Sequence, residues 1–256
     1  VLFRRFGGFI EDGVIENPPD YMFVDWGELD GYNLHHPPKA LGQTVLNAFY
    51  RMALLAASEL YTAIGESGRA DELSKAAEAH KAACNRRFYD AERAMYFDGT
   101  PAPESVYEAK QWLPANASKR YYTRQANALA VLCGFTDDAS LMARVADSIL
   151  NGGGGFEDFE VQPYFMHYVL EGVRKAGLFG EYGFRLIHLW DKQVLASPKG
   201  MKEGWGKFIG DNSHAWGATP TWQLPAAVAG IKVSAPGKVE FEPELYGLEW
   251  AKVEIP

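Results

Sequence analysis

The chain has 256 residues, of which 47% are hydrophobic, and its formal net charge at pH 7 is −8. This composition allows a substantial buried core, whereas a nucleic-acid partner would call for clustered Lys and Arg, which the sequence lacks. No run of about 18 apolar residues occurs, so we expect a globular protein that has neither a nucleic acid nor a membrane as its partner.

Apolar residues at three- and four-residue spacing predict consecutive helical hairpins over most of the chain. The predicted helices cover about 40–66 and 69–88, 118–134 and 137–151, 161–176 and 180–196, and finally 213–229. Residues 88–99 predict a short two-stranded ribbon around an Asp-Ala-Glu-Arg turn. Repeated helix pairs indicate an α/α toroid or an α-solenoid, and the irregular period argues against a short-repeat solenoid.

The pattern changes after Gly230. Residues 231–233, 239–242 and 248–255 alternate apolar and polar side chains, which is typical of β-strands. Three strands do not close a sandwich by themselves. We therefore predict two domains, a helical domain over residues 1–230 and the beginning of a C-terminal β domain over residues 231–256.

The loop at 200–220 holds the densest cluster of Gly, aromatic, acidic and imidazole groups, including Glu203, Trp205, His214 and Trp216. An indole ring offers an apolar face to the C–H side of a sugar, while carboxylate and imidazole groups bind its hydroxyls. The residues therefore suit a carbohydrate pocket. From the residues alone, a second interpretation stays open, in which Glu203 is a solvated loop acid and His214 lies beside a helix cap at Ser213.

Other residue groups in the sequence are weaker indications of a functional site. Asp25 and Glu28 form an alternative acid and base pair, although loop carboxylates are usually solvated or act as caps. His35 and His36 precede two prolines in an extended segment, so their side chains do not converge on a metal ion, and we expect neither metal nor cofactor. The run of four glycines at 152–155 predicts a flexible or tightly turning loop. Both cysteines, Cys84 and Cys133, lack metal or redox spacing and are predicted to be core residues.

The order of these features resembles the catalytic region of the family 78 glycoside hydrolases, the α-L-rhamnosidases. The segments that carry the resemblance are Phe23-Val24-Asp25-Trp26-Gly27, Gln125-Ala-Asn-Ala-Leu-Ala130, Glu203-Gly-Trp205, Ser213-His214-Ala-Trp216 and Ala229-Gly230-Ile231. The family's catalytic domain is an (α/α)6 barrel followed by a β-sandwich. The resemblance therefore implies a mainly α fold, a partial (α/α)6 toroid of helical hairpins with a short C-terminal β segment.

The resemblance also implies an inverting hydrolysis of terminal α-L-rhamnosides, for which two carboxyl groups stand roughly 6.5 to 9.5 Å apart. By motif position Glu203 is the general base, and His214 donates a hydrogen bond to a sugar hydroxyl. Asp25 accepts hydrogen bonds from sugar hydroxyls, and Trp26 or Trp205 forms an apolar wall. The expected partner is a small-molecule or oligosaccharide substrate that bears a terminal rhamnose.

In the family, the general acid lies upstream of the Asp-Trp segment, and no residue of this sequence replaces it. The predicted helices are also fewer than a closed (α/α)6 toroid requires. We therefore expect a fragment that carries the general-base half of the site and is incomplete as an isolated enzyme. Two alternatives remain: another toroid glycosidase or a polysaccharide lyase with a Tyr or His base, and a non-catalytic helical scaffold with its Trp-rich loops packed into the core.

Overall fold

The computed structural model describes residues 2–16, 23–33, 41–100, 119–196, 200–205, 213–235 and 237–254. The chain forms two compact units, Val1–Val161 and Gln162–Pro256. Within the described ranges, no helix combines the length and the apolar character that crossing a bilayer requires.

The first unit begins with a short helix and two small antiparallel hairpins: α1 (Leu2–Gly7), β1 (Ile10–Glu11) with β2 (Val14–Ile15), and β3 (Glu28–Leu29) with β4 (Tyr32–Asn33). Its largest feature is the hairpin of α2 (Gln43–Ala63) and α3 (Ser67–Phe88), which pack against each other. Gly65 lies in the turn between them with a φ of 81°, a conformation that glycine adopts without strain.

The predicted ribbon and the second helical hairpin follow. The ribbon pairs β5 (Tyr89–Asp90) with β6 (Met95–Tyr96), and the Asp90 carboxylate accepts hydrogen bonds from backbone N–H groups of the turn. The hairpin consists of α4 (Arg124–Leu132) and α5 (Ala139–Asn151). The side chains of Thr123 and Asp138 cap these two helices, which is why each helix begins where it does.

Buried amides join strands to helices in this unit. Asn47 on α2 accepts a hydrogen bond from the Ile15 N–H and donates one to the Ile15 carbonyl. Asn127 on α4 makes the same two contacts with Tyr96, again through one buried side chain. Each amide therefore satisfies both backbone groups of a strand residue that no neighbouring strand reaches on that side. Cys84 and Cys133 are buried free thiols, as predicted.

The second unit contains α6 (Met166–Lys175), α7 (Phe184–Ile187), α8 (Asp191–Ala196) and α9 (Pro220–Ala229), followed by the antiparallel pair β7 (Ile231–Ala235) and β8 (Lys238–Phe241). A π-helical turn at Phe179–Gly183 and a 3-10 turn at His188–Trp190 flank α7. A second 3-10 turn, Ala215–Gly217, precedes α9.

Three elements of this unit differ from the prediction. The helix predicted over 180–196 is divided into a π-helical turn, α7, a 3-10 turn and α8. The helix predicted over 213–229 begins only at Pro220, whose fixed φ suits the first position of a helix. Residues 248–254 form no strand, so the described β segment is a single hairpin. That residues 231–256 begin a separate β domain stays a prediction.

Candidate functional site

Glu203 and His214 face each other in the second unit. The Glu203 Oε1 atom lies 3.6 Å from the His214 Nε2 atom, and the two side chains are 16% and 14% exposed. The backbone N–H of His214 donates a hydrogen bond of 2.8 Å to the Met201 carbonyl, which joins the two loop segments. The two side chains are thus close together and mostly shielded from bulk water.

Gln193 on α8 supports the backbone on both sides of Glu203. Its Nε2 donates to the Gly204 carbonyl and its Oε1 accepts from the Lys202 N–H, both at 3.1 Å. A second glutamine, Gln162, accepts a hydrogen bond of 3.1 Å from the Trp205 N–H through its Oε1. The loop that carries the acid is therefore bound to the body of the unit through the backbone of Lys202, Gly204 and Trp205.

Aromatic rings hold the same loop from another side. The Trp205 ring packs edge-to-face on buried Trp190, with 4.8 Å between ring centroids. The Trp190 Nε1 donates a hydrogen bond of 2.7 Å to the Gly217 carbonyl. A Cβ on Gly217 would lie 2.7 Å from the Lys202 carbonyl oxygen, so glycine permits the close approach of the two segments.

Trp216 lies on the exposed side of the pair. Its ring is perpendicular to that of His214, at 5.6 Å between centroids, and lies 6.0 Å from the ring of Tyr164. The Trp216 side chain is 71% exposed although the turn that bears it is fixed through Gly217. An exposed indole on a rigid turn beside a carboxylate and an imidazole is a surface on which an apolar ring face can stack.

Asp25 and Trp26 belong to the first unit. Asp25 is fully buried, and its carboxylate accepts hydrogen bonds of 2.9 Å from the Trp26 N–H and from Nε2 of Gln125 on α4. The Trp26 ring packs edge-to-face on Phe23 at 5.4 Å. Gly27 follows at a φ of 137°, and a Cβ there would lie 2.4 Å from the Phe159 ring. The structure thus anchors this segment through Asp25.

The predicted site residues are divided between the two units. Glu203, His214 and Trp205 lie in one loop cluster of the second unit, and Asp25 and Trp26 lie in the first unit. Asp25 is buried and Glu28 is exposed, which disfavours the alternative that these two carboxylates work as a pair. The roles of all five predicted residues remain predictions.

Sequence reasoning missed the supporting residues Gln193, Gln162 and Trp190. Each lies in a stretch that reads as an ordinary helix or helix start, and each contact depends on how the chain folds back on itself. No cluster of three or more His, Cys, Asp and Glu side chains suited to a metal ion occurs among the described residues. His35 and His36 lie outside the described residues.

Two solved structures share the fold of this chain. A GH78 family rhamnosidase of Bacillus sp. GL1 matches with a TM-score of 0.65 and 18% identity, covering 91% of this chain and 23% of its own. A rhamnosidase from Klebsiella oxytoca with rhamnose bound matches with a TM-score of 0.60 and 17% identity, covering 86% of this chain and 39% of its own. No family model and no curated protein matches the sequence.

The two matches show a shared fold. The chain spans about a quarter and about two fifths of the lengths of the two rhamnosidases that it matches. Together with the helical hairpins of the two units, the matches confirm the predicted fold class: mainly α, a partial (α/α)6 toroid of helical hairpins with a short C-terminal β segment.

Proposed function

We propose that this chain carries the general-base side of a glycosidase site that hydrolyses terminal α-L-rhamnosides with inversion. The observation that carries the proposal is the contact between Glu203 and His214, at 3.6 Å, in a loop fixed to the body of the second unit. The shared fold with two rhamnosidases, one of them holding rhamnose, supports the choice of sugar.

In this proposal, the Glu203 carboxylate takes a proton from the water that attacks the anomeric carbon. The imidazole of His214 donates a hydrogen bond to a sugar hydroxyl. Trp205 supplies the apolar wall, fixed in place by Trp190. An inverting site also requires a general acid on the other side of the glycosidic bond, and the proposal assigns that role to no residue of this chain.

Asp25 and Trp26 keep their predicted roles as substrate-binding residues within this proposal. Both oxygens of the Asp25 carboxylate already accept hydrogen bonds within the protein. A carboxylate accepts more than one hydrogen bond at each oxygen, so a sugar hydroxyl would have to approach the remaining lone pairs. Replacement of Asp25 therefore tests the fold of the segment as well as sugar binding.

The exposure of Trp216 bears on the alternatives. A non-catalytic scaffold predicts Trp-rich loops packed into the core, whereas Trp216 in the loop at 200–220 is largely exposed. A polysaccharide lyase would place a Tyr or His at the sugar in place of a carboxylate. The partly exposed carboxylate of Glu203 suits a general base, so we favour hydrolysis.

Replacing Glu203 by Gln tests the proposed base. In the native protein we expect kcat for an aryl α-L-rhamnoside to fall at least about a hundredfold with little change in folding, as removal of a positioned general base typically does. Asp191→Asn is the matched control, because Asp191 contacts His188 at 2.9 Å on the exposed surface. Near-normal hydrolysis by Glu203→Gln would refute the base role.

The stereochemistry of the product tests inversion separately. Proton NMR during early turnover distinguishes the first-formed anomer before mutarotation mixes the two anomers. We expect the β anomer of L-rhamnose to appear first, since a single displacement by water inverts the anomeric carbon. Initial release of the α anomer would indicate a covalent intermediate and contradict a general-base role for Glu203.

A further inference from the structure

The contacts of Gln193 define a two-point clamp around the proposed base. The side-chain amide of Gln193 engages the N–H of Lys202 and the carbonyl of Gly204, each at 3.1 Å. These two backbone groups belong to the residues directly before and after Glu203. One planar amide therefore fixes the main chain on both sides of the acid, and with it the position of the Glu203 Cα.

Burial explains why an amide is needed at this position. Gln193 is only 5% exposed, and a buried amide is unfavourable unless its donor and acceptor both find partners. An aliphatic side chain of similar length would avoid that desolvation but would leave the Lys202 N–H and the Gly204 carbonyl without these partners. The polar side chain of Gln193 on α8 is thus explained by its hydrogen bonds to the loop.

The same device occurs elsewhere in the chain for a structural purpose. Asn47 and Asn127 each hold the N–H and the carbonyl of a single strand residue. Gln193 instead binds the backbone of two different residues, Lys202 and Gly204. Glu203 lies between them, and its partly exposed side chain faces His214. Its contacts are therefore arranged around the acid.

We propose that Gln193 is a positioning residue that holds Glu203 in the geometry required for proton transfer from water; this inference rests on the proposed function. It acts through the backbone of Lys202 and Gly204 and does not touch the substrate. A displacement of about 1 Å at a catalytic group can lower the rate by about a hundredfold. Loss of the clamp therefore affects the chemical step more than substrate binding.

The test uses Gln193→Met in the native protein, because methionine has a similar length and forms neither hydrogen bond. We expect kcat for an aryl α-L-rhamnoside to fall between about tenfold and a hundredfold, while KM changes by less than about twofold. Gln193→Glu is the second variant. It keeps the acceptor for Lys202 and places a carboxylate against the Gly204 carbonyl, so kcat falls here as well.

Gln223→Met is the matched control, since Gln223 is a fully buried glutamine of the same unit that binds Glu171 instead of the loop. It loses a buried amide and some thermal stability, yet we expect its kcat to stay within about twofold of the wild-type value. Hydrogen exchange gives a readout besides activity. The Lys202 amide should exchange faster in Gln193→Met and remain protected in Gln223→Met.

The outcomes separate the two proposals. A wild-type kcat in both Gln193 variants, with Glu203→Gln inactive, would overturn the clamp and leave the general base in place. An equal loss of kcat in Gln193→Met and Gln223→Met would also overturn it, because the effect would then follow stability alone. An active Glu203→Gln would instead overturn the proposed function itself, and the positioning role with it.

Discussion

At the scale of single residues, Asp98 shows how burial acts on a charged group. It lies in the first unit, fully buried, and its two carboxyl oxygens accept hydrogen bonds from the N–H and the hydroxyl of Thr123 at 2.8 and 2.7 Å. Burial away from water raises the pKa of the Asp98 carboxyl to about 8, against the lowering effect of the Thr123 contacts.

This pKa predicts a pH dependence of stability. Because the pKa of Asp98 is higher in the folded chain than in the unfolded one, its contribution to stability is fully present below about pH 4 and is lost as the pH rises through about 8. Asp98→Asn should remove this part of the pH dependence. Its carbonyl can accept from the Thr123 N–H while its NH2 donates to the Thr123 hydroxyl, so both contacts persist.

Denaturant unfolding of the wild type and Asp98→Asn, measured from pH 4 to 9, checks this expectation. The free energy of unfolding of the wild type should decline relative to that of the variant as the pH rises, by up to about 1.4 kcal/mol for each unit of pKa difference. Curves that run parallel over the whole range would mean that Asp98 is ionised throughout.

At the scale of elements, Gly217 decides how closely the turn before α9 approaches the loop of Glu203. Gly217→Ala would place a Cβ 2.7 Å from the Lys202 carbonyl oxygen, which is backbone and cannot rotate away. We expect a loss of about 1 to 3 kcal/mol in the free energy of unfolding. Because the displaced residue adjoins Glu203, kcat for a rhamnoside should fall as well.

Gly68→Ala is the matched control for this change. Gly68 is the second residue of α3, and an added Cβ would meet no atom within 4 Å. Alanine at such a helical position stabilises by about 0.5 to 1 kcal/mol, so the two substitutions should shift the unfolding midpoint in opposite directions. A neutral Gly217→Ala would show that the two segments separate without cost.

Local patterns predicted most of these elements. The apolar spacing of α2 and α3 and the turn residues of the β5–β6 ribbon act over a few neighbouring positions, and the structure confirms them. The helix predicted over 180–196 is interrupted by a π-helical turn and a 3-10 turn, and residues 248–254 alternate as a strand does yet form none. Such outcomes depend on tertiary packing, which overrides periodicity.

The candidate site shows the same division between local and tertiary information. Side-chain chemistry singled out Glu203 and His214, and the structure brings them to 3.6 Å. The hydrogen bonds of Gln193 were not predictable, because a lone glutamine in a helical stretch carries no signal of its partner. The burial of Asp25 was equally unpredictable from the sequence, since an Asp beside a Trp in a loop suggests exposure as readily as anchoring.

At the scale of the whole molecule, the C-terminal part of the second unit presents apolar side chains to solvent. Val239 and Phe241 lie on the same side of β8, and Leu248 and Trp250 are also exposed. A two-stranded hairpin with apolar side chains and unpaired edges favours association. We expect the 256-residue chain, expressed by itself, to self-associate.

Sedimentation velocity tests this expectation. Phe241→Lys combined with Trp250→Lys should reduce association, whereas Leu60→Lys, a matched control at an exposed position of α2 in the first unit, should leave it unchanged. A monodisperse wild-type chain at the same concentration would contradict the prediction. An equal effect of Leu60→Lys would mean that net charge, and not this surface, controls association.

Asp25 and Trp26 lie in the first unit, and their substrate-binding roles stay predictions. The residues of the proposed general-base side all belong to the second unit, where the Glu203 carboxylate, the His214 imidazole and the supporting glutamines lie together.

A crystal structure of the native protein with L-rhamnose bound tests the central claim most directly. We predict that the sugar ring lies beside Glu203 and His214, with a hydroxyl about 3 Å from the His214 imidazole and a water between the Glu203 carboxylate and the anomeric carbon. Rhamnose bound in a pocket that neither Glu203 nor His214 reaches would contradict the account.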